Sequence, residues 1–142
     1  MTQTSLRTVQ LERVSDLSFT ATNAHGATIN IGNSSENTFA PVELLLAAIG
    51  GCTAMDVDYA TNRHAEPTDF TVVVNGNKVS DEQGSRVTDL TVSFHVTFPE
   101  GTDGDAARAI LPRSVKLSHD KLCTVSRTVE TGTPVTPIIE PA

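Results

Sequence analysis

Hydrophobic and polar residues alternate one by one along the first part of the chain. Val9 and Leu11, with Arg13 in the same phase, stand against Gln10 and Glu12; Leu17, Phe19 and Ala21 stand against Ser18, Thr20 and Thr22; Ala27, Ile29 and Ile31 stand against Thr28 and Asn30. A repeat of two sends successive side chains to opposite faces, which is the pattern of a half-buried strand. Ser15-Asp16 and Asn23-Ala24-His25-Gly26 supply turn residues between the runs, so the pattern predicts a three-stranded antiparallel meander over residues 7–32.

The period then changes. A polar segment from Gly32 to Thr38 leads into the longest apolar run of the sequence, Phe39 to His64, in which Glu43 is the one charged residue between Val42 and Met55. Pro41 suits a first helical turn, Arg63 and His64 suit the negative end of the helix dipole, and Pro67 prevents continuation. The run therefore predicts one helix of about six turns. Apolar residues on nearly every side imply an element surrounded by protein. A bilayer span is excluded, because Glu43, Asp56 and Asp58 leave far fewer than the ~20 uninterrupted apolar residues it requires.

Alternation returns after Pro67, with Phe70, Val72 and Val74 in one run and Leu90, Val92, Phe94, Val96 and Phe98 in the other. These predict two strands with one wet face each, joined as a hairpin whose long polar tip is Asp81 to Ser85. A helix begins near Asp103 to Asp105 and carries Ala106, Ala107, Ile110, Leu111, Val115 and Leu117, with Pro112 expected to kink or restart it. Ser118-His119-Asp120 reads as a break and a new cap before a last helix with Leu122, Val125 and Val129 on one face, ending at Gly132. Pro134 to Pro141 suits a strand confined by Pro137 to a sheet edge. The order βββ-α-ββ-α-α-β defines an α+β architecture in one domain over residues 1–142.

A wholly apolar helix is hard to enclose with the rest of a 142-residue chain, which predicts a homodimer. Gly50-Gly51 points the same way. Each interior glycine costs a helix ~1 kcal/mol relative to alanine, and close approach of a second helix is the usual offset. The formal net charge of -7, without a basic run, excludes nucleic acid and anionic membrane as partners. Nothing between Met1 and Arg7 resembles the start of an export signal, so a cytoplasmic location is expected. His25, His64, His95 and His119 fall in different elements without accompanying carboxylates at ligand spacing, so neither a metal nor an organic cofactor is expected. His119, four residues before Cys123, reads as a solvated loop residue.

The candidate chemistry lies in the two cysteines. Taken from its surroundings alone, Cys52 is a small core residue with an inert thiol, and Asp56, four residues on along the same helix face, opposes its ionisation. Arg63 shares that face about 10 Å further along the axis. Cys123 stands in the first turn after the cap at Ser118 or Asp120, beside Lys121, where a reactive thiol and a half-buried spectator are both open readings.

Two stretches together carry a resemblance. Ala40-Pro41-Val42-Glu43-Leu44-Leu45-Leu46-Ala47-Ala48-Ile49-Gly50-Gly51-Cys52, followed by Leu117-Ser118-His119-Asp120-Lys121-Leu122-Cys123-Thr124-Val125, resembles the OsmC/Ohr family of bacterial thiol peroxidases. The element order resembles that family across nearly the whole chain. The resemblance implies an intertwined homodimer with a central helix from each subunit, and reduction of organic hydroperoxides, less often hydrogen peroxide, in oxidative-stress defence. It also implies that Cys52 is the attacking thiol and Cys123 the resolving thiol of a disulfide, which a dithiol reductant such as a lipoylated protein reopens. In the family an arginine from the N-terminal region, held by a glutamate ten residues before the cysteine, activates the thiolate. Here Val42 occupies that position and the supporting candidate is Glu43, on roughly the opposite helix face, with Arg7 and Arg13 as N-terminal arginines. This shift, Gly50-Gly51-Cys52 and Asp56 are similar to the YhfA-type branch. Two other function classes stand beside the peroxidase: a dimer binding a hydrophobic small molecule in an apolar cleft, and a structural dimer without a ligand.

Overall fold

Alternation and turn chemistry fold the N-terminal third into the expected meander of β1 (Val9–Ser15), β2 (Ser18–Asn23) and β3 (Thr28–Ile31), antiparallel in that order. The structure, a computed structural model, describes residues 2–35 and 37–142; Glu36, inside the expected polar loop, and Met1 lie outside the described residues. Two compact units are present, one ending at Leu45 and the other running from Leu46 to Ala142.

In the first unit Leu11, Ala21 and Ile29 are cross-strand neighbours, as are Arg13, Phe19 and Ile31, so the alternating apolar positions share one face. The side chain of Asn23 accepts the N–H groups of His25 and Ala27, each at 3.0 Å, and sets the second turn. Leu17 departs from expectation. It lies in the tight turn between Ser15 and Ser18 with φ 56 rather than in β2, because that turn requires a left-handed residue. The long helix α1 (Pro41–Asn62) starts in this unit, where the Glu43 carboxylate accepts the Ala40 N–H at 2.8 Å and the Ser34 hydroxyl at 2.5 Å. A residue at the third helical position reaching back to the cap closes the first turn.

In the second unit α1 lies against a hairpin of β4 (Asp69–Asp81) and β5 (Gly84–Thr97). Phe70 pairs with Val96, Val72 with Phe94 and Val74 with Val92, forming an apolar ladder on one face. The strands run further than the apolar alternation does. Their pairing continues through Lys78–Val87 and Val79–Arg86, so the tip is a tight turn at Glu82-Gln83 rather than a long loop. Asp81 makes this possible by accepting the Gln83 N–H at 2.9 Å and pairing with Arg86 at 2.6 Å.

Ile49, Gly50, Thr53, Val57 and Thr61 form the buried stripe of α1, whereas Ala47, Ala48, Gly51, Met55 and Tyr59 are exposed. The helix is thus apolar around its circumference, as read from the sequence, yet a single chain covers one face of it. Gly50 is explained within the chain. A Cβ there would stand 2.5 Å from Val74 Cγ2, so the glycine admits strand β4 and not, as expected, a second helix.

Helix α2 (Thr102–Leu117) continues through Pro112. It ends in a wide turn, Ser118–Leu122, closed by Cys123 N–H donating to Ser118 O at 2.8 Å, before α3 (Thr124–Thr131). Gly132 ends α3 in the left-handed conformation, as expected. The C-terminal segment differs from expectation: residues 133–142 carry no regular secondary structure. Pro134, Pro137 and Pro141 remove three ladder donors, and the segment pairs with neither sheet of the chain. Among the described residues no helix is long and apolar enough to cross a membrane.

Gly50→Ala tests the packing of α1 on β4. Helix propensity alone would stabilise the variant by ~1 kcal/mol. Overpacking against the stiff Val74 side chain costs about 1–3 kcal/mol and is expected to dominate, lowering the urea midpoint.

Candidate functional site

The wide turn after α2 decides where Cys123 points. A bond from residue 123 back to residue 118 takes one more residue than an α-helical turn, so the following side chains change phase relative to a continued helix. Cys123 consequently turns inward and is fully buried, not half-exposed in a first turn. It is itself the cap of α3: its Sγ accepts the Ser126 N–H at 3.4 Å and donates to Ser126 Oγ at 3.2 Å. The cap expected at Ser118 or Asp120 is therefore displaced to the thiol.

Cys52, half-buried on α1, meets the same helix end. The Cys123 thiol and the backbone N–H groups of Val125 and Thr124 are the groups that act on its thiol. Burial pushes the Cys52 thiol above its ordinary pKa, and the neighbouring Cys123 adds to the rise. The two N–H groups at the start of α3 work in the opposite direction, since they can donate to a thiolate. No guanidinium of the described residues is among the groups acting on this thiol.

Asp56 is not turned on the thiol as the helical spacing suggested. Its Oδ2 accepts the hydroxyl of Ser118 at 2.8 Å, and Ser118 Oγ lies 2.8 Å from Thr53 Oγ1. Since the Ser118 proton is given to the carboxylate, Thr53 donates to Ser118, making a directed chain Thr53 to Ser118 to Asp56. Ser118 is fully buried and Thr53 is 5% exposed. Neither residue stood out in the sequence, where Ser118 read as a helix break and Thr53 as one position in an apolar run. Their only local signal is a hydroxyl placed where its helix buries it.

The remaining candidates are dispersed. Glu43 is engaged with Ser34 and Ala40 at the start of α1. Arg7 donates to Ser5 Oγ and Leu6 O in the N-terminal unit, where Arg13 also lies, on β1 opposite Phe19. Arg63, in the turn just after α1, sits 5.8 Å over the Tyr59 ring, a cation–π contact. His119 is more than a solvated loop residue: Nδ1 is 3.1 Å from Asp120 and Nε2 is 3.0 Å from Glu130 of α3. Beside it a cavity of about 230 Å³ opens between Thr53, Ser126 and the β5 residues Leu90, Val92 and Phe94.

The family model of OsmC-like proteins matches residues 32–137. Protein YhfA of Escherichia coli K12 is 30% identical over 124 residues, covering 87% of this chain and 89% of that protein, in line with the resemblance read from the two cysteine stretches. A hypothetical protein from Aquifex aeolicus VF5 superposes with a TM-score of 0.71 at 26% identity, covering 92% of this chain and 91% of that one. The organic hydroperoxide resistance protein OhrB of Bacillus subtilis shares the fold, with a TM-score of 0.53 at 16% identity over 87% of this chain and 90% of that one.

His119 gives the site region a pH dependence of definite sign. Asp120 foremost, then Glu130, holds its imidazolium above the usual histidine pKa of 6.5. The stabilisation is thus complete below 6.5 and is lost as pH rises through the higher folded value. Because the His119 and Glu130 side chains are 61% and 59% exposed, the effect is small. Between pH 6 and pH 9 the wild-type Tm is expected to fall slightly more than that of His119→Asn, and equal slopes would remove His119 as the cause.

Proposed function

The chain belongs to the OsmC-like family, and from that membership together with the meeting of its two thiols we propose that it is a thiol-dependent peroxidase reducing organic hydroperoxides. The observation that carries the reading is the approach of Cys52 to Cys123 at the start of α3, since two cysteines from distant elements have no packing need to face each other. That OhrB, which shares the fold, is an organic hydroperoxide resistance protein supports the substrate class.

In the proposed reaction the Cys52 thiolate attacks the distal oxygen of the hydroperoxide. The O–O bond breaks, the alkoxide leaves and takes a proton as alcohol, and Cys52 becomes a sulfenic acid. The Cys123 sulfur then attacks the Cys52 sulfur, an S–S bond forms, and hydroxide leaves and is protonated to water. A dithiol reductant such as a lipoylated protein reopens the disulfide by exchange. Burial works against the attacking thiolate, so the Val125 and Thr124 N–H groups are assigned its stabilisation. Glu43 is assigned to holding the start of α1 through Ala40 and Ser34. The cavity beside Ser126, lined by Leu90, Val92 and Phe94, suits an organic tail, and it equally favours a second reading, a dimer that binds a hydrophobic small molecule without turnover.

A homodimer belongs to the same proposal. The outer face of α1 presents Ala47, Ala48 and Gly51 beside Met55, which is 75% exposed, and a Cβ at Gly51 would meet nothing within 4 Å in the single chain. Small residues on an uncovered apolar face suit close packing of the same helix from a second copy.

Treatment of the reduced protein with one equivalent of cumene hydroperoxide is expected to consume both thiols of each chain. In Cys123→Ser a sulfenic acid should become trappable on Cys52, and Cys52→Ser should react no faster than free cysteine. The reverse pattern would make Cys123 the nucleophile, and no reaction in any form would leave the binding reading. Gly51→Ala tests the dimer: in a lone helix it stabilises by up to ~1 kcal/mol, whereas at a helix crossing it is expected to shift sedimentation toward monomer at a given concentration.

A further inference from the structure

We propose that Ser118 is the positioning residue of the thiol pair, fixing through Thr53 and Asp56 the place from which Cys123 reaches Cys52. Ser118 works from both ends of its structure. Its hydroxyl is bound to two side chains of α1, and its carbonyl accepts the Cys123 N–H at 2.8 Å. Thr53 follows Cys52 directly in sequence and Asp56 lies one turn on, so the relay clasps the helical turn that carries Cys52. One residue thereby links the backbone of one cysteine to the helix of the other.

The relay is directional. Thr53 donates to Ser118 and Ser118 donates to Asp56, and among the described residues no buried side-chain nitrogen or oxygen lacks a partner. Sliding the turn along α1 by one residue would separate the two buried hydroxyls from each other and from the half-buried carboxylate, and buried hydroxyls left unpaired are costly. The turn has further ties. Arg127 of α3 donates to Asp120 O at 3.3 Å, and Lys116 of α2 pairs with the Asp120 side chain at 2.5 Å. These are exposed contacts, whereas the Thr53–Ser118 bond is buried and reaches α1.

Disulfide closure makes this placement functionally visible. The step oxidises two thiols to one S–S bond, with oxidised glutathione as electron acceptor and two molecules of reduced glutathione as product. Its equilibrium measures the effective concentration of one thiol at the other. This readout needs no peroxide and so stands apart from the peroxidase reading.

The test equilibrates the full chain in buffers of reduced and oxidised glutathione and measures the Cys52–Cys123 disulfide after alkylation. Ser118→Ala is expected to lower the closure constant roughly ten- to a hundred-fold, and Ser118→Thr, which restores the hydroxyl, to recover most of it. Thr53→Val, which deletes one hydroxyl at nearly constant shape, should move the constant in the same direction by a smaller factor and serves if Ser118→Ala does not fold. With cumene hydroperoxide, Ser118→Ala should also accumulate a trappable sulfenic acid on Cys52 that the wild type converts to disulfide. A closure constant unchanged in Ser118→Ala or Thr53→Val, even with reduced stability, would overturn the proposal and leave Ser118 a packing residue. If no sulfenic acid forms in any variant while the closure constants shift as expected, the peroxidase reading fails and the positioning role stands.

Discussion

The buried relay from Thr53 through Ser118 to Asp56 is the constraint on which the site depends, because it converts a loose helix–loop–helix connection into one with a single alignment. Apolar side chains alone would allow the wide turn to slide on α1 at modest cost, since hydrophobic contact is not directional. Hydrogen bonds inside protein are directional, and a misplaced one leaves its groups unpaired. Helix α3 is held by the same means. It has no buried residue of its own and is attached through the Cys123 cap, the Arg127 contact with Asp120 O and the His119–Glu130 pair. The start of α3, and with it the N–H groups offered to Cys52, goes wherever the turn is fixed.

Electrostatics then set the terms for chemistry. Burial raises the pKa of the Cys52 thiol, and the opposing influences within the chain are backbone dipoles. Dipoles add no net charge to the site, which suits an uncharged reactant: a neutral hydroperoxide approaches a chain of net charge -7 without repulsion. In the proposed attack, N–H groups held at the thiol lower the cost of forming the thiolate. The exposed ion pairs of Asp120, Lys116 and His119 contribute order to the turn more than energy.

Much of the fold was legible because its signals are local. The period-two runs gave the meander and the apolar core of the hairpin, and Pro41 with the apolar run gave α1 nearly to its last residue. The polar outer half of the hairpin, from Lys78 to Arg86, carries no hydrophobic period; its pairing rests on Asp81 setting the turn, which alternation cannot report. Cys123 and Asp56 also depart from what helical spacing implies. Cys123 is turned inward by the extra residue of the wide turn, and Asp56, on the same helix as Cys52, is engaged instead by the Ser118 hydroxyl at the end of α2. The meeting of the cysteines followed from family resemblance, whereas the relay that holds them was not legible, since a serine and a threonine in helical sequence have many equivalent roles.

Gly50 and Gly51 illustrate how one sequence signal can divide between two neighbours. Adjacent residues on a helix point about 100° apart, so a glycine pair cannot serve one contact equally. Gly50 faces Val74 and lets the hairpin approach the axis of α1, while Gly51 opens outward with Ala47, Ala48 and Met55. The inner face is thereby accounted for by strands. The outer face keeps the small residues that helix–helix contact favours, with exposed Asp58 as its charged member toward the end of the helix. The apolar run of α1 thus divides in two: its inner side covers the hairpin and carries Cys52, and its outer side, exposed in the single chain, is the face on which the proposed second copy would pack.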